Sequence, residues 1–195
     1  MKKSTTRITI VIALLIVAVV SYYAYLSNKK RAERPETRVT FVQDTLSKNL
    51  ETHYPSTPKE VLKYYNDLQK CFYNEEYTEE EFEKLVLKMR ELYDEELLEQ
   101  NSLADQTIQL LMEIQDYRDK KRTITSISLP SSANVVYDTV DGYDFAKIHC
   151  GYNLMEDGVN KPMTQVFLLR KDAGRKWKIY GWKILDTFQE SEIGE

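Results

Sequence analysis

His149 and Cys150 are the adjacent residues with the clearest capacity for chemistry, because a cysteine beside a histidine can be activated as a nucleophile. Their position opposes that role. They lie in a segment that alternates polar and apolar residues, as β-strands do, so consecutive side chains point to opposite faces. The two side chains therefore cannot meet within one strand. We predict that Cys150 faces the core together with Ile148, Tyr152 and Leu154, and that His149 faces the other way.

Other residues that bind metals or nucleotides are few and scattered. His53 is the only other histidine, and no cysteine pair has metal-ligand spacing. The acidic stretch 75–99 contains no glycine to form the turn of a calcium-binding loop. The sequence also contains no glycine-rich phosphate loop and no Gly-x-Ser-x-Gly elbow. We therefore predict no catalytic residue, no metal site and no cofactor.

Cys71 and Cys150 are the only cysteines. Two cysteines do not make a disulfide framework, although an extracytoplasmic domain can pair them. The interpretation that we favour is two separate buried residues that behave as small apolar side chains.

Charge excludes one large class of partner. All but three of the 27 Lys and Arg residues, and all 31 Asp and Glu residues, lie beyond residue 26. This part of the chain is therefore acidic. Nucleic-acid binding needs a basic surface, so we predict no nucleic-acid partner.

Residues 8–26 are apolar and uncharged, and as a helix they would span about 28 Å, the thickness of the hydrocarbon core of a bilayer. A cleaved secretory signal is the alternative, because Lys2, Lys3 and Arg7 resemble its basic start. Cleavage after Ala24 would, however, place Tyr22 where a small residue is required. The sequence thus favours a lasting anchor in the lipid bilayer, with tyrosines at the interface.

The orientation of this anchor is less strongly determined. Basic residues flank both ends, and a count of Lys and Arg slightly favours a cytoplasmic C-terminal side. The short basic N-terminus and the length of the following domain favour the reverse, because long domains are translocated largely regardless of charge. We predict a single-pass cell-membrane protein with its N-terminus inside and its domain outside, and keep a cytoplasmic-facing accessory protein as an alternative.

Apolar residues recur every three or four positions over the next part of the chain, which predicts helices. A short amphipathic helix is predicted within 37–51, after a charged linker, and its apolar face consists of Val39, Val42, Leu46 and Leu50. Two capping boxes, Thr57 with Glu60 and Thr78 with Glu81, predict the starts of the next two helices, the second of which we expect to end near Leu98. A further helix is predicted over 102–121, with these residues facing inward: Leu103, Thr107, Leu110, Leu111, Ile114 and Tyr117.

Beyond residue 122, apolar residues recur at every second position, which predicts strands. Candidate strands cover these ranges: 123–129, 134–140, 143–154, 163–170 and 177–185. Asp141-Gly142 and Asp157-Gly158 are hairpin turn sequences. Helices followed by strands predict an α+β domain with helices packed on a curved antiparallel sheet of about four strands. The predicted organisation is a basic N-terminus (1–7), an anchor (8–26), a linker with a short helix (27–57), the α+β domain (58–186) and an acidic tail (187–195).

A proline-capped helix with paired aromatics, PKEVLKYYNDLQKCFYNEEYT, and a strand meander that ends in RKWKIYGWKIL together resemble the nuclear-transport-factor-2-like (cystatin-like) superfamily. The chain looks most like an uncharacterised bacterial family of single-pass membrane proteins that carry such a domain outside the membrane. The resemblance covers roughly 58–185. It implies a cone-shaped fold with a pocket between helices and sheet, and it is compatible with enzymes and with binding modules.

Aromatic residues are the best candidates for such a pocket, because tyrosine and tryptophan combine an apolar body with a polar tip. They could equally fill the core of the domain. The candidates are Tyr64, Tyr65, Tyr93, Tyr117, Tyr152, Tyr180 and Trp182.

Two functions from different classes follow. The leading hypothesis is a membrane-tethered extracytoplasmic module that binds an envelope protein or another ligand without catalysis. The alternative is a pocket enzyme, an isomerase or dehydratase, since enzymes on the resembled fold often use an Asp or His base. Asp116, Asp138 and Asp144 would be its candidate bases, although each is also compatible with a surface or hairpin position.

Overall fold

A computed structural model describes residues 39–185 of the 195-residue chain. The predicted N-terminus, anchor and acidic tail lie outside these residues. Within residues 39–185, no helix is long and apolar enough to cross a membrane.

In the described part of the chain, five α-helices precede the sheet. They are α1 (Phe41–Ser47), α2 (Pro58–Asn74), α3 (Glu79–Arg90), α4 (Glu95–Gln100) and α5 (Leu103–Asp119). The capping boxes predicted at Thr57 and Thr78 are confirmed, with each threonine hydroxyl accepting from the backbone N–H of its glutamate partner. The first four N–H groups of a helix lack helical acceptors, so these caps define where α2 and α3 begin.

Helix α1 belongs to the compact unit that begins at Thr40. Its Val42 and Thr45 are each 1% exposed, and Leu50 beyond it is buried. Val39 is 62% exposed, although the periodicity included it in the apolar face. The segment that the sequence assigned to the linker thus contributes side chains to the core.

The expectation that the helix begun at Thr78 continues to Leu98 is wrong. Helix α3 ends at Arg90, and residues 91–94 connect it to α4. The connection is extended enough for Tyr93 to form a parallel bridge with Ile179. Asp94 then caps α4, because its side chain accepts from the backbone N–H of Glu96.

The α+β class is confirmed, and the sheet is open, antiparallel and five-stranded. Its strands are β1 (Thr123–Ser128), β2 (Val136–Val140), β3 (Tyr143–Glu156), β4 (Val159–Lys171) and β5 (Trp177–Leu185). Strands β1 and β2 pair with opposite ends of one edge of β3, so the sheet is only four strands wide at any point. Strand β4 pairs with the other edge of β3, and β5 lies outermost.

Both predicted hairpin turns are confirmed. Asp141 and Gly142 have φ of 52° and 81°, and Asp157 and Gly158 have φ of 48° and 79°. Positive φ at both central residues matches the right-handed twist of the flanking strands, and glycine adopts it without steric cost.

One face of the sheet carries the core. Ala146, Ile148 and Cys150 on β3 are fully buried, as are Phe167 on β4 and Ile179 on β5. Helix α2 lies against this face, and the Asn74 side chain bonds both the N–H and the carbonyl of Ile124 in β1. Cys150 is buried and His149 is exposed, so the prediction that they occupy opposite faces is confirmed.

Helix α5 differs from the inward face predicted for it. Leu110 and Ile114 are buried, but Leu103 and Leu111 are 46% and 50% exposed. Helix α5 has apolar residues on more than one side, so periodicity alone could not select the buried side.

Candidate functional site: an aromatic cavity

A cavity of about 770 Å³ lies between the helices and the core face of the sheet. Its walls come from α2, from the end of α3 through α4, from α5, and from β1 and β3 to β5. Its volume is within the range of about 300–1,000 Å³ typical of ligand sites. Met112 and Ile184 in its wall are 68% and 57% exposed, so the cavity opens to solvent.

Six of the seven aromatic candidates line this cavity, although whether they bind a ligand stays a prediction. They are Tyr65, Tyr93, Tyr117, Tyr152, Tyr180 and Trp182. Tyr64 does not line it. One residue along a helix is a rotation of about 100°, so Tyr64 and its neighbour Tyr65 cannot face the same way. The Tyr64 hydroxyl instead donates to the carbonyl of Thr45 in α1.

The side of the cavity nearest β5 is a cluster of aromatic rings. The centroid of Tyr65 lies 5.4 Å from that of Phe167 and 6.1 Å from that of Trp182. Tyr93 lies 5.8 Å from Trp182. Tyr65 and Tyr93 are also part of the buried core, whereas Trp182 is 41% exposed. Core filling and cavity lining are therefore not alternatives here, because the same rings do both.

The opposite wall joins α2 to α5. The rings of Tyr73 and Tyr117 stack at 4.1 Å, and the Tyr73 hydroxyl donates to Glu113 at 2.7 Å. Arg122 lies 4.8 Å from the centroid of Tyr117. It also forms ion pairs with Asp116 and with Glu156 of β3. These contacts hold α5 over the cavity.

A buried polar pair lies behind this wall. The Tyr152 hydroxyl donates to the Asn66 side-chain carbonyl at 2.7 Å, and both residues are almost fully buried. The Asn66 amide lies 3.5 Å from the Cys150 sulfur. Because unpaired polar groups are costly to bury, this pair fixes the position of Tyr152 relative to α2.

Tyr180 is fixed by an ion-pair cluster at the edge of the sheet. Arg170 forms two bonds to Asp94, at 3.0 and 2.6 Å, and one to Glu96 at 2.6 Å. The Arg170 guanidinium lies 4.8 Å from the Tyr180 ring centroid and 4.9 Å from that of Tyr143. Hydrogen bonds from Arg170 and Tyr180 lower the pKa of Glu96.

Most of the groups that the cavity presents to a ligand are uncharged, and the charged residues of its wall are Glu113, Asp116 and Arg122. Burial raises the pKa of Tyr65, Tyr93 and Tyr152, so these phenols stay protonated at neutral pH. Arg122 is the cation of the wall and is already paired with two carboxylates. The wall is therefore suited to an uncharged group with apolar surface, which can also meet side-chain amides.

Those amides were missed by sequence reasoning. Gln165 lines the cavity and lies opposite Cys150 in the β3–β4 register, on the core face of β4. The polar–apolar alternation in 163–170 places this glutamine on the core face of the strand, and a polar residue there was a signal of a cavity-lining amide. Gln100 and Gln109 also line the cavity, but their helical positions carried no comparable signal.

The three candidate bases do not come together. Asp116 lines the cavity but is paired with Lys120 and Arg122, and its side chain is 44% exposed. Asp138 is exposed on β2, and Asp144 pairs with Lys171 near the β2–β3 turn. Of the residues described, no three His, Cys, Asp or Glu side chains form a group that could hold a metal ion.

The fold and the cavity define an α+β protein in which helices cover one face of an antiparallel sheet and enclose an aromatic, amide-lined cavity. The chain belongs to the family described as "Domain of unknown function (DUF6715)", which matches residues 1–182. No curated protein matches the chain.

Proposed function

We propose that this protein is a membrane-tethered binding module that holds its ligand in the aromatic cavity without transforming it. The cavity itself carries the proposal. It is large enough for a ligand, its rings are fixed by the contacts described above, and it opens to solvent at Met112 and Ile184. The domain would act outside the cell membrane, with residues 8–26 as its anchor.

Two further observations support this proposal. The helices-then-strands order, with a cavity against the core face of the sheet, agrees with the nuclear-transport-factor-2-like architecture that the sequence resembles. The carboxylates in the cavity wall, Glu113 and Asp116, are exposed or half-exposed and already bonded to Tyr73, Lys120 and Arg122. A pocket isomerase or dehydratase would be better served by a desolvated base with a raised pKa.

Site-specific photo-cross-linking in intact cells tests the proposed site. A photoreactive amino acid at Met112, at the mouth of the cavity, is expected to capture a reproducible envelope component that mass spectrometry identifies. The matched control is the same group at Val140, which is 48% exposed but does not line the cavity. Capture that is equal from both positions, or unchanged by Trp182→Ala in a folded protein, would remove the cavity from the proposal.

Membrane orientation can be tested with a single engineered cysteine. We expect Thr37→Cys, just beyond the proposed anchor, to react in intact cells with a membrane-impermeant maleimide. Cys71 and Cys150 are not expected to react with the maleimide in the folded protein, because both are free thiols that are fully buried. Burial also raises the pKa of Cys71 to about 11, which keeps it in the unreactive thiol form near neutral pH.

The same labelling separates the alternatives. Labelling of Thr37→Cys only after cell lysis would establish the cytoplasmic-facing orientation instead. Wild-type protein should label only in denaturant, at two thiols per chain. Labelling of native wild type would show that one of these two cysteines is accessible, contrary to the structure.

A further inference from the structure

Strand β5 forms one outer edge of the sheet, and only its first half is covered by backbone pairing. The Asp94 N–H donates to the Ile179 carbonyl at 2.9 Å, and the Ile179 N–H donates to the Leu92 carbonyl at 2.8 Å. Beyond Ile179, residues 181–185 have no backbone partner on this side anywhere in 39–185. Edge strands with unpaired peptide groups are templates for pairing with another chain.

This uncovered edge adjoins the cavity. Gly181, Trp182 and Ile184 all line the cavity, and Trp182 and Ile184 are 41% and 57% exposed. Gly181 has no heavy atom within 4 Å of the point where a β-carbon would lie, apart from its chain neighbours. The face of the sheet is therefore open at Gly181, because a β-carbon projects from the face of a strand.

At the opposite edge of the sheet, a side chain satisfies the backbone groups that face outward. The Asn74 side chain satisfies the edge groups of Ile124 in β1, as a paired strand would. Strand β2 has an outer edge too, but its residues do not line the cavity. The end of β5 is thus the place where a strand edge and an aromatic cavity coincide.

Charge beside this edge indicates what kind of chain would bind. Helix α4 begins directly after Asp94, the residue whose backbone pairs with β5. Glu95 and Glu99 of this helix are exposed. Neither glutamate forms an ion pair with any other described residue. Opposite charges across an interface steer association and fix register, so basic residues opposite Glu95 and Glu99 would be favoured, whereas the exposed Lys183 of β5 disfavours a basic residue directly beside it.

We propose that the ligand is an extended, basic segment of a partner protein, which pairs with residues 181–185 of β5 and inserts an apolar side chain into the cavity beside Trp182. This inference rests on the proposed function, because it names the class of ligand for the same cavity. Backbone hydrogen bonds would supply affinity, and the aromatic wall would select the inserted side chain. Alternate side chains of the bound strand would point away from the cavity.

The test uses the purified full chain and the peptide acetyl-Lys-Thr-Val-Phe-Val-Thr-Lys-amide. Tryptophan fluorescence reports binding, because both tryptophans lie in β5 and Trp182 lines the cavity. The Trp177→Phe variant should retain the signal, which assigns it to Trp182. Replacing both lysines of the peptide by glutamate is expected to weaken binding, and more so at low salt.

N-methylation of the peptide distinguishes strand pairing from simple insertion. N–H groups of alternate residues in an extended chain point to opposite sides, so one set of methyl groups faces β5 and the other faces away. We expect methylation of one alternate set to weaken binding about tenfold or more, and of the other set about twofold or less. Equal effects of the two sets, or no peptide binding, would overturn strand pairing.

A second binding experiment, with a saccharide in place of the peptide, distinguishes failure of this inference from failure of the proposed function. Neutral chitotetraose has hydroxyl groups for the cavity amides and apolar ring faces for Trp182, but no peptide N–H groups for β5. A Trp182 response to chitotetraose and none to the peptide would overturn the inference and leave the binding cavity intact. If neither probe binds and Met112 captures nothing in cells, both proposals fail.

Discussion

Replacing Asp94 with alanine is expected to lower the free energy of unfolding by about 3–5 kcal/mol, as when one member of a buried ion pair is removed. The Asp94 side chain is 3% exposed and binds Arg170 through two hydrogen bonds. Alanine would leave the Arg170 guanidinium, whose side chain is 13% exposed, with Glu96 as its one remaining ion-pair partner among the described residues. The cap of α4 would be lost as well.

Urea unfolding of the full chain, followed by tryptophan fluorescence, measures this effect. Because Trp177 and Trp182 are the only tryptophans, the signal reports this domain alone. The matched control is Glu80→Ala, which removes an exposed ion pair with Lys84. The Lys84 side chain is 55% exposed and the Glu80 side chain is 78% exposed. It is expected to change stability by less than about 1 kcal/mol.

A double-variant cycle tests the mechanism behind the Asp94 effect. Arg170→Met alone should also destabilise strongly, because it leaves the Asp94 carboxylate buried without its cation. The double variant Asp94→Ala/Arg170→Met should lose much less than the sum of the two single losses, since neither charge is then stranded. Strict additivity, or an Asp94→Ala loss no larger than that of Glu80→Ala, would contradict the assigned role.

Local signals in the sequence predicted much of the fold. At a helix N-terminus, a threonine followed three residues later by glutamate satisfies two N–H groups that lack helical acceptors, and α2 and α3 begin where Thr57 and Thr78 predicted. Asp-Gly pairs favour positive φ, so both hairpin turns were predictable too. These features depend on residues close together in the chain, which is why sequence alone was sufficient.

The break between α3 and α4 was not predicted, because the apolar pattern continues through it. Leu92 and Tyr93 are as buried as the helical residues before them. Their burial comes from pairing with Ile179, which is distant in sequence. The capping capacity of Asp94 was a signal for the break, but its decisive partner, Arg170, lies 76 residues away.

Residue type indicated which side chains suit the wall of a cavity, but it did not give their positions. Six of the seven tyrosine and tryptophan candidates line the cavity, and composition cannot say which side of α2 faces it. Tyr64 and Tyr65 show the difference, since only Tyr65 lines the cavity. The uncovered end of β5 was also outside the reach of sequence, because it depends on where residues 92–94 stop pairing.

Replacing Phe167 with alanine is expected to destabilise the domain by about 3–5 kcal/mol. Phe167 is completely buried on β4, and its ring contacts Tyr65 and Trp182 at centroid distances of 5.4 and 6.2 Å. Its loss would leave a void behind the aromatic wall, which the fixed neighbouring rings cannot fill. The measurement is urea unfolding followed by circular dichroism and fluorescence. Phe41→Ala, whose ring is 38% exposed on α1, is the control and should cost less than about 1 kcal/mol. If the two variants are equally stable, Phe167 does not support the wall of the cavity, and the rings around it must be held by other contacts.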